Sequence, residues 1–239
     1  MDVSLLQTGQ PALIELLRAA IRREGPITFA HFMAEALYHP AHGFYSSGRA
    51  QLGREGDYFT SVSVGPLFGR LLAAQFAEIW KTMGRPNDFV VVEQGAHGGE
   101  FAHDLLSATE REHGDFFTAL RYQILEPFEI LQTRQAQALT KFADKLRWHS
   151  SIAEMPTFRG LHFSNELIDA FPTHLVRWTG AEWCERLVTE RDGKFVFIDG
   201  PLSDRRLAEH LRAVTWPLPA GYETEVNLAA QDWIETLAP

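Results

Sequence analysis

The sequence predicts an α/β fold in which helices flank a parallel sheet. Between Phe89 and Ser164, short apolar runs typical of buried strands alternate with amphipathic helical patterns. Strands and helices that alternate in this way are joined by right-handed crossovers, so the strands lie parallel. After Pro172, three further short runs are separated by turns that contain glycine, and such turns can join only antiparallel neighbours. We therefore expect a Rossmann-like core with an antiparallel hairpin insertion.

Composition bounds the class of protein. The chain has 239 residues, of which 45% are hydrophobic, enough for one sizeable domain. Its net charge of -9 argues against a nucleic-acid partner, because phosphate binding needs clustered Lys and Arg. No apolar run approaches the roughly 20 residues that span a bilayer, so we expect no membrane contact. Cys184 is the single cysteine, and we expect a cytoplasmic protein. No spacing of His and Cys typical of a metal site is present.

The N-terminal 84 residues are expected to be helical with one long loop. Leu13, Leu17 and Ile21 recur at helical spacing within Pro11–Arg23, and a second short helix follows Thr28. Residues 41–63 are rich in glycine and aromatic residues and predict an ordered, lid-like loop. A third helix, capped by Ser63, runs to Gly84.

Residues 85–239 are expected to form the core, with the hairpin insertion at residues 173–200. The predicted parallel strands are Phe89–Glu93, Tyr122–Glu126, Leu146–His149 and Gly160–Ser164. The predicted helices of this part are Glu100–Glu112 (ending at Gly114), 128–142, Ser203–Val214 and Glu223–Leu237. The predicted hairpin strands are His174–Trp178, Trp183–Thr189 and Lys194–Ile198.

The turn after the first parallel strand is the first candidate binding site. Ligands of open parallel sheets bind beyond the carboxyl ends of the strands. The turn runs from Glu93 to Glu100, and its glycines would let a ligand approach the backbone at a helix N-terminus. A structural turn at this junction would also use glycine, so the turn alone leaves both interpretations open.

The second parallel strand ends in an acidic residue, Glu126. A carboxylate at this position can accept hydrogen bonds from the hydroxyls of a ribose, although a surface carboxylate is the simpler interpretation. Glu126 lies 33 positions after Glu93, whereas a dinucleotide fingerprint expects about 20. A nicotinamide-dependent oxidoreductase is therefore disfavoured.

The fourth parallel strand leads into Asn165 and Glu166. Polar groups at this edge could orient a substrate nitrogen or carboxylate beside a transferred group. Capping of a following helix is the alternative role for Asn165.

Several motifs resemble those of the MidA-like S-adenosylmethionine-dependent methyltransferases, relatives of the mitochondrial arginine methyltransferase of complex I assembly. The matching segments are Phe32-Met33, Leu37–Pro40, Gly43–Tyr45, Gly53, Gly56–Ser61, Phe68-Gly69, Glu93, Gly95, Glu126 and Asn165–Pro172. They cover nearly all of the chain. The Gly-Asp-aromatic-Thr-Ser loop combined with the Asn-Glu-x-x-Asp-Ala-x-Pro segment is specific to this family.

The resemblance implies a class I methyltransferase fold and methylation of a protein, with arginine as the acceptor in the characterised eukaryotic member. It places Thr60, Ser61, Glu93, Gly95, Gly99, Glu126, Ser151 and Ile152 around S-adenosylmethionine. It places Asn165 and Glu166 at the methyl acceptor. The acidic chain would favour a basic protein substrate, and an oligomer is compatible with the sequence.

The sequence departs from the family pattern in two places. Ala96 and His97 stand where the family has proline and glycine, and a histidine is costly at a position that needs a positive φ unless Gly98 takes over the turn. The family also continues beyond the position of Pro239, so we expect its C-terminal strands to be missing from this chain. Both departures leave an alternative open, namely a binding module or assembly factor that keeps the fold but does not turn over.

Overall fold

The computed structural model describes residues 9–48 and 65–237. The chain divides into two compact units, one made of residues 1–47 with 170–239 and the other of residues 48–169. We call the first the antiparallel unit and the second the parallel unit. The division differs from the expected boundary at residue 84, because the helix before that boundary packs in the parallel unit. In the described ranges, no helix is both long and apolar enough to span a bilayer.

The elements are numbered in chain order. The helices are α1 (Pro11–Glu24), α2 (Phe29–Tyr38), α3 (Leu67–Thr82), α4 (Glu100–Glu112), α5 (Gly114–Ala119), α6 (Glu129–Ala138), α7 (Arg205–Leu211) and α8 (Leu228–Leu237). The strands are β1 (Ile27–Thr28), β2 (Phe89–Gln94), β3 (Leu120–Leu125), β4 (Leu146–His149), β5 (Gly160–Ser164), β6 (His174–Trp178), β7 (Trp183–Arg191), β8 (Lys194–Gly200) and β9 (Glu223–Val226). Short 3-10 turns lie at Thr140–Lys145, Ile152–Glu154 and Ile168–Ala170.

The parallel unit contains the four predicted parallel strands in the order β4-β3-β2-β5. β2 is central, with Val91 opposite Tyr122 of β3 on one side and Leu161 of β5 on the other. Since the chain extends the sheet first towards β4 and then returns to the opposite edge for β5, the order reverses beside β2. Such a reversal opens a crevice at the carboxyl ends of the strands.

The core of the parallel unit explains why its helices form where they do. Phe89, Val91 and Ile124 are fully buried on one face of the sheet, under apolar residues of α3, α4 and α5. Leu105 of α4 and Phe116 of α5 are almost completely buried in this core. Val90, Val92 and Leu125 form a smaller apolar cluster on the other face, with Ile152 and Met155 packed against it. The continuous apolar run of β2 is therefore buried on both faces, as expected for a central parallel strand.

The antiparallel unit contains a five-stranded sheet built on the predicted hairpin strands. β7 pairs with β8 along one edge and with β6 and β1 along the other, and β9 pairs with β6. Val176 and Val226 pack with Leu207 and Leu211 of α7. Leu13, Leu17 and Ile21 of α1 pack on Ile27 and Val188. The hairpin is thus part of a separate sheet, because N-terminal and C-terminal strands complete it.

The structure differs most from the predicted helices in three places. Glu223–Val226 is strand β9, because Thr224 and Val226 alternate with polar residues and Val226 is buried against β6. The helix predicted at Glu100–Glu112 is confirmed as α4, but a further helix, α5, begins at Gly114 and buries Phe116. The helix predicted for residues 128–142 ends at Ala138, and the chain then turns to bury Leu139 and Phe142.

We expect Gly160→Ala to disrupt the pairing of β2 and β5. A Cβ at Gly160 would overlap the backbone carbonyl of Val90, which cannot move without breaking the central strand. The free energy of unfolding in urea should fall by roughly 2 kcal/mol or more, at the upper end of the overpacking range. Gly114→Ala is the matched control, because no atom lies within 4 Å of a Cβ there. Equal stability of the two variants would contradict this account of the sheet.

Candidate active site

The carboxyl ends of the four parallel strands bring the predicted site residues to one edge. Gln94, the last residue of β2, lies opposite Leu125 of β3 and Ser164 of β5. Gly95 of the glycine turn, Glu126 and Asn165 each follow one of these three residues directly. β4 reaches the same edge, because the Glu126 N–H donates to the carbonyl of His149, the last residue of β4, at 2.9 Å. The candidate site is therefore assembled by the register of the sheet.

The glycine turn has three residues with left-handed backbone conformation. Gly95, His97 and Gly99 have φ of 84°, 46° and 90°, and the Gly99 N–H donates to the Ala96 carbonyl at 2.8 Å. Gly98 does not take a positive φ, so the left-handed position of the turn falls on the histidine itself. A left-handed backbone costs roughly 1–2 kcal/mol for a residue with a side chain. The turn thus keeps the backbone path of a glycine-rich turn at a local energetic cost.

Glycine is required at both ends of this turn. A Cβ at Gly95 would lie 3.3 Å from Leu167 Cδ1, and a Cβ at Gly99 would lie 3.2 Å from Leu139 Cδ1. Gly99 precedes α4, whose N-terminus has no side-chain cap. The first N–H groups of a helix have no partner within the helix, so this end of α4 favours an anionic group.

Glu93 lies near the end of β2, at the start of the turn, and is buried. Its carboxylate accepts a hydrogen bond of 2.8 Å from the Tyr122 hydroxyl. Burial raises the pKa of Glu93 to about 7, against the hydrogen bond from Tyr122, and the charge of Glu100 raises it further. Burial and the neighbouring carboxylate also raise the pKa of Tyr122 well above its usual value. Glu93 is therefore held where its charge is costly.

Glu126 is the second buried carboxylate at this edge, with 5% of its surface exposed. Its Oε1 accepts from the Phe128 N–H at 3.0 Å, and its Oε2 accepts from Gln135 Nε2 at 3.1 Å. Burial raises the pKa of Glu126 to about 6, and these two hydrogen bonds lower it. A carboxylate has about four acceptor positions, so each oxygen keeps one for a further donor.

Gln135 of α6 is a residue of the site that the sequence did not reveal. It is completely buried and donates to both the His97 carbonyl and Glu126. A signal did exist: Leu131, Gln135 and Leu139 follow one another at intervals of four, which places the glutamine on the buried face of its helix. A polar residue at such a position needs buried partners.

Ser151 and Ile152, which the resemblance assigns to the cofactor, lie after β4. Ser151 is exposed, and its carbonyl accepts from the Glu154 N–H at 3.3 Å. Ile152 packs against the apolar cluster of Val90, Val92 and Leu125. The structure thus places a polar residue and an apolar residue beside the strand that carries Glu126.

Asn165 and Glu166 follow β5 next to the glycine turn. Asn165 is half-buried, whereas Glu166 is exposed and has a φ of 49°. A non-glycine residue in this conformation is uncommon and is found disproportionately at functional sites. The next residue, Leu167, is the one that faces Gly95.

Two predicted cofactor residues, Thr60 and Ser61, lie outside the described residues. Within the described ranges, no group of three or more His, Cys, Asp and Glu side chains is arranged to hold a metal ion. Glu93, Gly95, Gly99, Glu126, Asn165 and Glu166 are brought to one edge of the sheet, and Ser151 and Ile152 follow the adjoining strand.

We expect Glu93→Gln to stabilise the protein at alkaline pH. Because the pKa of Glu93 is raised, the folded state binds a proton that the unfolded state lacks between pH 4.5 and about 7, so the carboxylate costs more stability as the pH rises. The neutral amide can still accept from Tyr122. Urea unfolding at pH 8 should show a gain of about 1–3 kcal/mol, most of which disappears at pH 5.

Glu78→Gln is the matched control, since Glu78 is exposed on α3. Its unfolding free energy should follow that of the unchanged protein at both pH values. The difference in unfolding free energy between Glu93→Gln and the unchanged protein is compared at the two pH values. A difference less favourable to the variant at pH 8 than at pH 5 would show that the buried carboxylate does not destabilise the protein.

The sequence of residues 71–239 matches the family described as "Putative S-adenosyl-L-methionine-dependent methyltransferase". Among curated relatives, the Drosophila melanogaster protein arginine methyltransferase NDUFAF7 homolog, mitochondrial, is 30% identical over 205 residues, which are 77% of this chain and 46% of that protein. The Homo sapiens protein arginine methyltransferase NDUFAF7, mitochondrial, is 26% identical over 81% of this chain and 46% of its own length. The chain thus spans about half the length of the curated relatives it matches.

A solved structure supports the same assignment. A crystal structure of a Burkholderia thailandensis protein bound to S-adenosyl-homocysteine superposes with a TM-score of 0.82 at 33% identity, over 95% of this chain and 58% of that chain. A native crystal structure from the same organism gives a TM-score of 0.79 at 32% identity. The Rossmann-like methyltransferase fold and the resemblance seen in the sequence are confirmed. The chain belongs to this family of S-adenosyl-L-methionine-dependent methyltransferases.

Proposed function

We propose that this chain binds S-adenosylmethionine at the edge formed by β2, β3 and β5 and takes part in methylation of a protein, with arginine as the acceptor. The observation that carries the proposal is the pairing of a left-handed glycine turn with a buried carboxylate, Glu126, at the point where the strand order reverses. That arrangement suits a nucleoside whose ribose meets the carboxylate. The S-adenosyl-homocysteine bound by the B. thailandensis protein supports it.

The residues present fit the cofactor. Glu126 has acceptor positions left for the two ribose hydroxyls, because among the residues that the structure describes one donor reaches each of its oxygens. Gly95 and Gly99 carry no side chain at two positions of the turn that the methionine part would pass. Ile152 offers an apolar contact for adenine beside Leu125. Thr60 and Ser61 are proposed to complete the site from the preceding loop.

Asn165 and Glu166 are proposed to hold the methyl acceptor. S-adenosylmethionine supplies a methyl group on a positively charged sulfur, so the protein mainly has to align the acceptor nitrogen and exclude water. A guanidinium group can pair with the Glu166 carboxylate through two hydrogen bonds, and Asn165 can accept one more. The left-handed backbone at Glu166 supports a functional role, because such a conformation is retained only where the surroundings require it.

A basic protein substrate agrees with the charge of the chain and with the relatives. The net charge of -9 would attract a positively charged partner. The curated relatives are named protein arginine methyltransferases. We therefore propose an arginine on a basic protein surface as the acceptor.

A second candidate is a binding module or assembly factor that holds the cofactor without turnover. The left-handed His97, which stands where the family has glycine, favours this candidate. The two functions share the cofactor site and differ at Asn165 and Glu166. Binding and turnover therefore have to be measured separately.

Calorimetric titration with S-adenosylhomocysteine tests the cofactor site. We expect saturable binding, which Glu126→Ala weakens at least about tenfold, or about 1.4 kcal/mol, through loss of the ribose acceptor. Glu129→Ala, an exposed carboxylate three residues further on, should bind like the unchanged protein. No binding at millimolar ligand would refute the proposed cofactor, and unchanged affinity of Glu126→Ala would refute the ribose contact alone.

Methyl transfer to an arginine-containing basic peptide tests the acceptor site. Glu166→Gln should lower kcat by roughly tenfold or more, since the amide removes the negative charge that pairs with the guanidinium. Its affinity for S-adenosylhomocysteine should stay within about twofold of the unchanged protein. Cofactor binding without transfer to any arginine peptide would favour the binding module, and equal kcat of the two proteins would remove Glu166 from the acceptor site.

A further inference from the structure

Gln135 joins three parts of the parallel unit that the sequence does not connect. Its side chain is completely buried. Gln135 Nε2 donates to the His97 carbonyl at 2.9 Å and to Glu126 Oε2 at 3.1 Å. Gln135 Oε1 accepts from the Trp148 indole N–H at 2.9 Å. One amide therefore links the glycine turn, the end of β3 and β4.

The orientation of the amide is fixed by its partners. An indole N–H can only donate, whereas a backbone carbonyl and a carboxylate can only accept. The amide oxygen must therefore face Trp148, and both amide N–H groups must face His97 and Glu126. Reversing the amide would leave all three contacts unmade. A buried amide whose two N–H groups and oxygen all have partners holds its neighbours in one arrangement.

The Glu126 carboxylate is held from two sides. Phe128 N–H binds one oxygen and Gln135 binds the other, so the plane of the carboxylate is set. The same helix supports the adjoining backbone, because Gln132 Nε2 donates to the Glu126 carbonyl at 2.7 Å. Only the acceptor positions that these donors leave remain for a ligand.

We propose that Gln135 is a positioning residue of the nucleoside site, which sets the ribose-accepting carboxylate of Glu126 and the carbonyl of His97 relative to each other. The inference rests on the proposed function, because it concerns how that cofactor site is built. It extends that function to a residue on α6 that lies behind the site. No contact between Gln135 and the cofactor is required.

The chemistry of Gln135 accounts for the residue type. A methionine of similar size could make none of the three hydrogen bonds of Gln135, and removing hydrogen-bond partners inside the protein costs more than the loss of one exposed hydrogen bond. A glutamate would place a second carboxylate about 3 Å from that of Glu126. Two carboxyl groups at this distance share one proton, and the pKa at which the pair loses that proton is raised. When that proton is present, it restores a donor to Glu126. When it is lost, the two charges repel.

The test compares Gln135→Met and Gln135→Glu with the unchanged protein. S-adenosylhomocysteine affinity is measured by calorimetry at pH 6 and pH 8, and thermal unfolding is recorded at both. Gln137→Met and Gln137→Glu are matched controls, since Gln137 is exposed two residues away on the same helix. The controls should bind like the unchanged protein at both pH values.

We expect Gln135→Met to weaken binding at least tenfold at both pH values. Gln135→Glu should bind within about fivefold of the unchanged protein at pH 6 and lose at least tenfold more affinity at pH 8. The unchanged protein should not lose affinity over this range, because Glu126 becomes more fully ionised as the pH rises.

Two results would overturn the inference alone. One is binding by both Gln135 variants within threefold of the unchanged protein at pH 8. The other is an equal loss at pH 6 and pH 8 in Gln135→Glu, which would assign Gln135 a packing role only. If the unchanged protein itself does not bind S-adenosylhomocysteine, the proposed function fails and the inference fails with it, so the two failures are distinguishable.

Discussion

The position of β2 between two parallel neighbours is the constraint on which the rest of the parallel unit depends. Its register against β3 and β5 brings the glycine turn, Glu126 and Asn165 to one edge of the sheet. The close approach of β5 at Gly160 leaves no room for a side chain against the Val90 carbonyl. A shift of one residue in this register would turn Val90 and Val92 to the opposite face and separate the polar residues of the edge. The register that packs the strands therefore also assembles the site.

The pKa values of the buried carboxylates shift in opposite directions in the two units. In the antiparallel unit, Glu185 is completely buried, and burial opposes its charge. The hydrogen bonds from His174 and from the Ser203 N–H outweigh that effect and lower its pKa. In the parallel unit, burial dominates at Glu93 and Glu126 and raises both pKa values. A carboxylate with spare acceptor positions and a raised pKa is costly in the free protein and gains from a ligand that donates to it. That contrast separates a structural carboxylate from a binding one.

Much of the fold was predictable because its patterns are local. The four parallel strands and the three hairpin strands follow from apolar runs and turn residues, and each of them is confirmed. The sequence predicts a helix where β9 lies, because the strand depends on pairing with β6, which is more than 40 residues away in the chain. α5 was missed because Gly114 is a helix breaker in most contexts and a tolerable first residue in this one. The separate antiparallel sheet depends on β1, a strand of two residues that carries no pattern of its own.

The candidate site was predictable only in part. The acidic and glycine positions at strand ends could be read from the sequence, since topology places them at one edge. Their roles stay predictions. Gln135 and Trp148 were missed because their contribution depends on tertiary hydrogen bonds between segments that are not adjacent in sequence. His97 shows the opposite case: the sequence raised the question of a positive φ, and the structure places that φ on the histidine.

A crystal structure of this chain with S-adenosylhomocysteine tests the central claim most directly. The account predicts that both ribose hydroxyls lie within hydrogen-bond distance, about 2.5–3.2 Å, of the Glu126 carboxylate. It also predicts that the methionine part follows the turn from Gly95 to Gly99, with the Gln135 amide still bonded to Glu126. A ligand bound elsewhere, or a ribose turned away from Glu126, would contradict it.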